Sequence, residues 1–411
     1  MKKCLALILA FLLLLSLAAC TSPAKETDPA HETEPVVSLA DSDLKVGILY
    51  IGSQDASSGD TYAHHSGITA AMEQLELDPG KRLLVADEVP ADNGQILKAI
   101  AKLVKKGADI IFGTDPGYAD AMEEAAQKYP DVIFAHAAGY RSSTTNFSSY
   151  AARAYQAWYL AGIAAGAKSL ELGNGNLGFV SAYAAESAQT AAACGGFTLG
   201  AMAVNPNAKV YVKAVGSWSD PAGEAAAAKE LIDACGCCVI AQYCVSALPQ
   251  ITAQRSGVFG CGSHCNMTMY APDAHLTAPV WHWEVYYKKA LLAAASCDGA
   301  KNFVSKMGAG AYCGGLKEKL ADISPLSRNC ANGTQDALKQ VRDLIESGSW
   351  DVFSGVKLGI TLKDGSATVE QVDSPLIDSN GNTVVPAGEP SLEDETLTEL
   401  LNFLVAGAEL S

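Results

Sequence analysis

The sequence predicts an α/β protein of two similar lobes, each built on a parallel sheet, with the chain crossing between them. Three observations lead there. Short apolar runs alternate with helix-length stretches, the pattern of parallel strands joined by right-handed crossovers. The alternation runs to His136 and, after a helix at Tyr155–Ala167, starts again. A chain of 411 residues, 49% hydrophobic and 18% charged, is also too long for a single core.

At the amino terminus Lys2 and Lys3 precede the apolar run Leu5–Leu17, and small residues lead to Cys20. A run this short with these flanks is an export signal, not a membrane span. A cysteine just past small residues is where bacterial lipoproteins are cut and acylated. Residues 1–20 are therefore expected to be a lipoprotein signal, with Cys20 as the lipid anchor on the outer face of the cytoplasmic membrane. Residues 21–44 are polar and rich in Pro, Glu, Asp and Thr, as in a disordered tether.

The first lobe is expected over 45–154. Lys45–Gly52 is a nearly continuous apolar run, the mark of a strand buried on both faces. A Ser/Gly/Asp-rich loop and a helix near Gly67–Leu75 follow. Strands at Arg82–Val89, Asp109–Gly113 and Asp131–His136 alternate with helices at Ile96–Lys106 and Ala119–Lys128. The second lobe is expected over 155–283. Its strands are Leu177–Ala182, Lys209–Trp218, Cys238–Tyr243, Gly257–Cys261 and His275–Trp281. Its helices are Ala191–Val204 and Asp220–Ala234, the latter with Asp220 as N-cap and Pro221 in its first position. A helix at Glu284–Ala295 returns the chain to the first lobe until about residue 312. Beyond that lie a helix (Gln335–Ser347) and a hairpin (Val356–Leu362 with Ala367–Val372), assigned in part to the second lobe.

The formal net charge of −16 argues against nucleic acid, whose phosphates need a positive surface. Twelve cysteines are present, ten of them after Cys20. Cys235, Cys237, Cys238, Cys244, Cys261, His264 and Cys265 fall on neighbouring strands or their ends. Their spacing matches no usual zinc pattern, so small apolar core residues are the leading reading, ahead of disulfides and then of metal. No metal or other cofactor is expected. Gly173–Gly178 (GNGNLG) matches a dinucleotide fingerprint but precedes a strand, whereas the fingerprint must follow one. Asn146–Ser148 fits a glycosylation triplet.

Ligands of open parallel sheets bind beyond the carboxyl ends of the strands. Aromatic residues recur in those loops: Tyr62, Tyr118, Tyr140, Tyr183, Trp218 and Tyr243, with Trp281 and Trp283 after the last long strand. Two facing sets of rings suit a flat, π-rich ligand. Asp60, His64, Gln242 and Asn266 could read its polar edges. Asp55, Asp60, Asp115 and Glu186 are the carboxylates an enzyme would need, yet they form no recognisable constellation, so no catalytic activity is expected.

The chain resembles the basic membrane protein family of ABC-transporter substrate-binding lipoproteins, the purine and nucleoside binders. The segments that carry the likeness are KVGILYIG (Lys45–Gly52), GDTYAHHSG (Gly59–Gly67), ADIIFGTDPGY (Ala108–Tyr118), VIFAHAAGY (Val132–Tyr140), YAARAYQAWYLAGIAAG (Tyr150–Gly166), GFTLGAMAVNPNA (Gly196–Ala208), SWSDPAGEAAAAKELID (Ser217–Asp233), VIAQY (Val239–Tyr243) and HLTAP (His275–Pro279). The resemblance implies a type I periplasmic-binding fold, two Rossmann-like lobes closing on a ligand. It also implies a monomer that delivers a purine or nucleoside to a membrane permease. By the same resemblance Tyr62 and His64 belong to the first ligand loop, Tyr118 and Tyr140 border the cleft, Trp218 follows a second-lobe strand, and Trp283 is the tryptophan of the crossover. The ligand-binding set is thus expected to be Asp60, Tyr62, His64, Tyr118, Tyr140, Tyr183, Trp218, Gln242, Asn266 and Trp283. The chain departs from the pattern at His65, Val245 and Asn266, where relatives carry carboxylates, at Trp158, where they carry Arg, and at Glu284, where they carry Gly. A sensor of the same fold is the alternative to transport; a nucleoside-cleaving enzyme is a more distant one.

Overall fold

The computed structural model describes residues 37–143, 145–308 and 310–411. The expected signal, Cys20 and most of the expected tether lie outside the described residues. The end of the tether does not: the Leu39 N–H donates to the Leu75 carbonyl, and Leu44 is buried in the first core. Packing therefore begins before Lys45.

In chain order the first five strands are β1 (Val46–Leu49), β2 (Leu83–Ala86), β3 (Ile110–Gly113), β4 (Ile133–Ala137) and β5 (Phe147–Ala152). The next five are β6 (Asn176–Ser181), β7 (Lys209–Ala214), β8 (Val239–Tyr243), β9 (Phe259–Cys261) and β10 (His275–Thr277). Then come β11 (Pro279–Trp281), β12 (Tyr312–Gly314), β13 (Ala321–Ile323), the hairpin β14 (Val356–Lys363) and β15 (Ser366–Asp373), the pair β16 (Leu376–Ile377) and β17 (Thr383–Val385), and β18 (Ala408–Leu410).

Two six-stranded sheets result, ordered β12-β5-β4-β3-β1-β2 and β10-β9-β8-β6-β7-β18. All pairings within both are parallel. Each sheet takes its last strand, β12 or β18, from much later in the chain. The chain passes between lobes at Arg153, at His282 and again after Gly314. In both sheets the strand order reverses at the first strand of the lobe, β1 or β6. Such reversals open a crevice at the strands' carboxyl ends, where ligands bind.

Several boundaries differ from the sequence reading. The expected strand His275–Trp281 is two strands: β10 pairs with β9, while β11 turns into an antiparallel ribbon with β13 at the lobe junction. Strand β5 and the helix Leu248–Arg255 are additions. Asn146 is no sugar acceptor site, because its buried amide donates to the carbonyls of Ala126 and Val132. Asp220 does cap its helix, accepting from the Gly223 N–H at 3.0 Å.

The second core rests on two helices, Ala154–Glu171 and Ala188–Val204, that pack through glycine. A Cβ on Gly162 would lie 2.2 Å from the Phe197 carbonyl oxygen, and one on Gly200 would lie 2.1 Å from that of Tyr159. Only hydrogen fits there, so the backbones meet directly. Trp158 is fully buried between Phe179, Phe197 and Tyr243. The ten described cysteines are unpaired thiols, and Cys194, Cys237, Cys238, Cys244 and Cys261 are buried. Among the described residues no group of three or more His, Cys, Asp or Glu side chains comes together as metal ligands would.

Candidate functional site

A cavity of about 610 Å³ lies between the lobes, within the usual range for small-molecule sites. Its walls come from the carboxyl ends of β1, β3 and β4 on one side and of β6, β7, β8 and β9 on the other, together with the crossovers.

On the first-lobe side the key element is the helix Gly59–Gln74, which begins well before the expected Gly67. Its early start decides which side chains face the cavity. Asp60 and His64, four residues apart, share one face; Tyr62 is about 200° around from Asp60. Tyr62 accordingly points to solvent, 37% exposed, and does not line the cavity. The His64 ring stacks on Trp283 at 4.4 Å and 18°, and its Nδ1 meets the Tyr287 hydroxyl at 2.7 Å. Burial, with His264 nearby, lowers the His64 pKa to about 3, so the imidazole is neutral. Asp60 stands 3.7 Å from His64 Nε2, a contact with a neutral ring and not an ion pair. Enclosure by the cleft, and then repulsion from Asp115, raises Asp60 to about 7. The side chain nevertheless keeps 44% exposure, so water in the cleft moderates that shift.

On the second-lobe side the rings converge. Trp218 meets Tyr183 edge-on at 5.8 Å and Tyr243 at 5.4 Å. Tyr243 and Trp281 lie within 7° of parallel, and His264 stacks on Trp281 at 4.9 Å. His264 has φ of +65°, a left-handed conformation costly for a residue with a Cβ. It is 7% exposed, lines the cavity, and neither ring nitrogen has a partner among the described residues. Burial lowers its pKa to about 4. The Trp283 Nε1 is likewise buried without an acceptor.

Of the ten expected ligand residues, the structure brings Asp60, His64, Tyr183, Trp218 and Trp283 to the cavity. It does not place Tyr62, Tyr118, Tyr140, Gln242 and Asn266 on the cavity wall. A 3₁₀ turn at Pro116–Tyr118, closed by Asp115 accepting from the Gly117 N–H at 2.8 Å, buries the Tyr118 ring. Its hydroxyl donates to the Val89 carbonyl in the first core, and Asp115 and Pro116 face the cavity instead. Tyr140 offers its backbone N–H to Glu399 while its ring stays off the cavity wall. Gln242 precedes Tyr243 on β8, so it points to the opposite face and bonds the Ser246 carbonyl at 2.6 Å. Asn266 is exposed and caps a turn, accepting from the Thr268 N–H at 2.9 Å. Tyr243 and Trp281, named in the sequence among the strand-end rings though not in the ligand-binding set, also line the cavity, whereas His264 was considered only with the cysteines and its place here was missed. Sequence reasoning also missed Asp394, Leu397 and Thr398, for which no local signal exists.

The lobes touch beside the cavity. The Ser58 hydroxyl donates to the Val245 carbonyl at 3.2 Å. Gly59, with φ of +81°, packs against the Val245 side chain so closely that a Cβ would sit 2.6 Å from it. Among the carboxylates considered for catalysis, Asp60 and Asp115 line the cavity; Asp55 and Glu186 are exposed outside it.

Residues 45–339 match the family model Bmp, described as ABC transporter substrate-binding protein PnrA-like. A purine-binding protein of Brucella abortus is 32% identical over 370 residues, covering 90% of this chain and 94% of that one. A protein of Haloferax volcanii named as an ABC transporter glucose-binding protein is 30% identical over 304 residues, covering 74% and 72%. A solute-binding protein of an Aeropyrum pernix ABC transporter superposes with a TM-score of 0.60 at 16% identity, covering 77% of this chain and 93% of that one. The architecture is thus the type I periplasmic-binding fold.

Proposed function

We propose, from the premise that this chain belongs to the Bmp family of PnrA-like ABC transporter substrate-binding proteins, that it captures a purine base or nucleoside between its lobes and hands it to an ABC permease. The observation that carries this reading is the convergence of Tyr183, Trp218, Tyr243 and Trp281 on one cavity, with the Trp283–His64 stack supplied from the first-lobe side. A heterocycle stacked on such a ring gains about 1–3 kcal/mol. The unpartnered nitrogens of His264 and Trp283 and the carboxyl of Asp60 supply donors and acceptors for its edges. Contacts to both lobes favour the closed form over the open one, which is the whole of the mechanism. No bond is broken. Anchoring through an acylated Cys20 to the outer face of the cytoplasmic membrane belongs to the same proposal and rests on the Lys2–Cys20 pattern. Mass spectrometry of the mature amino terminus tests it, an unacylated terminus ending that part.

Calorimetric titration with adenine, guanine, adenosine, guanosine, inosine and glucose tests the ligand class. Heat from a purine with glucose silent is the expected result. Heat from glucose alone would favour the sugar class named for the Haloferax relative. No heat from any of them, with protein shown free of copurified ligand, overturns the purine reading.

A further inference from the structure

We propose that residues 393–400, which lie beyond the family-matching segment, close one side of the ligand cavity and latch the two lobes together. The inference rests on the cavity being the ligand site, not on which ligand occupies it.

Asp394, Leu397 and Thr398 line the cavity. The segment is rooted in the second lobe: Leu397 and Leu401 are buried with Tyr155 and Phe353, Leu404 packs in the core behind the second sheet, and β18 pairs with β7. Its acidic side chains reach the other way. Both carboxylate oxygens of Asp394 accept from Arg153, from Nε and from a terminal nitrogen, each at 2.7 Å. Arg153 stands at the first crossover, and its own N–H donates to the carbonyl of Gly314 on β12 of the first sheet at 2.7 Å. A few residues on, Glu399 Oε1 accepts from the Tyr140 N–H, also at 2.7 Å, in the loop after β4. A segment packed into one lobe is thus held by two carboxylates to the other lobe and to the junction. The forked guanidinium–carboxylate pair fixes direction as well as distance, and both partners are about three-quarters buried. Opening the cleft on this side must break or drag these contacts. Any ligand must also fit against Leu397 and Thr398.

The test uses the full mature chain with three variants: Asp394→Asn with Glu399→Ala, Glu399→Ala alone, and Thr398→Tyr. Hydrogen exchange over residues 138–142 and small-angle scattering are measured without ligand. Purine dissociation is followed by stopped flow. The latch predicts faster exchange at the Tyr140 amide in both Glu399 variants, a larger radius of gyration in the double variant, and dissociation about tenfold faster. Thr398→Tyr is expected to weaken binding about tenfold with exchange unchanged. Glu399 is exposed, so its single variant keeps the test alive if the double variant does not fold. Wild-type values of exchange, scattering and dissociation in the folded variants would overturn the latch. If no purine binds the wild type, the ligand reading fails while exchange and scattering still decide the latch.

Discussion

Tyrosine and tryptophan rings dominate the second-lobe wall of the cleft, whereas the first-lobe wall carries two carboxylates and a buried histidine among small residues. Tyr183, Trp218 and Tyr243 form the first set; Asp60, His64 and Asp115 form the second. The difference follows from what each lobe does with its strand-end aromatics. In the first lobe a 3₁₀ turn draws Tyr118 into the core and a helix carries Tyr62 outward. In the second lobe the loops stay open and the rings lean on one another. One wall is therefore suited to holding a flat face and the other to reading an edge.

The comparison breaks most readily at Trp218. Its replacement by Ala should weaken purine affinity about 10- to 100-fold by calorimetry, matching the loss of one stacked ring; an unchanged affinity would dissolve the distinction between the walls. A smaller effect is expected from His264→Phe, which keeps the stack on Trp281 and removes the two nitrogens. Affinity should fall about fivefold to tenfold, the worth of one hydrogen bond.

Asp60 sharpens the other side through pH. Its proton is held more tightly in the folded protein, at about 7, than in the unfolded chain, at about 3.9. Stability from this group is complete below about pH 4 and is lost as pH rises through about 7. Relative to Asp60→Asn, the wild-type melting temperature should fall by about 1–2 °C between pH 5 and 8, cleft water keeping the slope shallow. Parallel pH profiles would mean that the carboxyl is solvated as in water. The smallest effect on affinity is expected at Tyr118. Tyr118→Phe should leave purine binding unchanged and cost about 1 kcal/mol in denaturant unfolding, because the buried Val89 carbonyl loses its donor.

Both sheets and most of their helices were legible because buried parallel strands announce themselves as apolar runs. Asp220 was legible as a cap because its chemistry is local. The cavity was legible as a set of loops, yet only partly as a set of side chains. Whether Tyr118 or Asp115 faces the cavity depends on one 3₁₀ turn, and whether Asp60 or Tyr62 does depends on where a helix starts. In the loop after β9 the sequence pointed to Asn266, yet His264, held in a left-handed conformation, is the side chain that lines the cavity. Asp394 reaches Arg153 from 241 positions away, a separation at which no spacing rule operates.

The glycine seam between the helices Ala154–Glu171 and Ala188–Val204 bears on how the cleft can work. Trp158, on the first of these helices, abuts Tyr243 at 5.6 Å, so that ring is backed by two main chains in direct contact. Capture should therefore freeze few rotamers on that side, since their freedom was already surrendered when the lobe folded. If the lobes close on a ligand as proposed, the bend should fall at the junctions at Arg153, His282 and the stretch after Gly314, not within this helix pair.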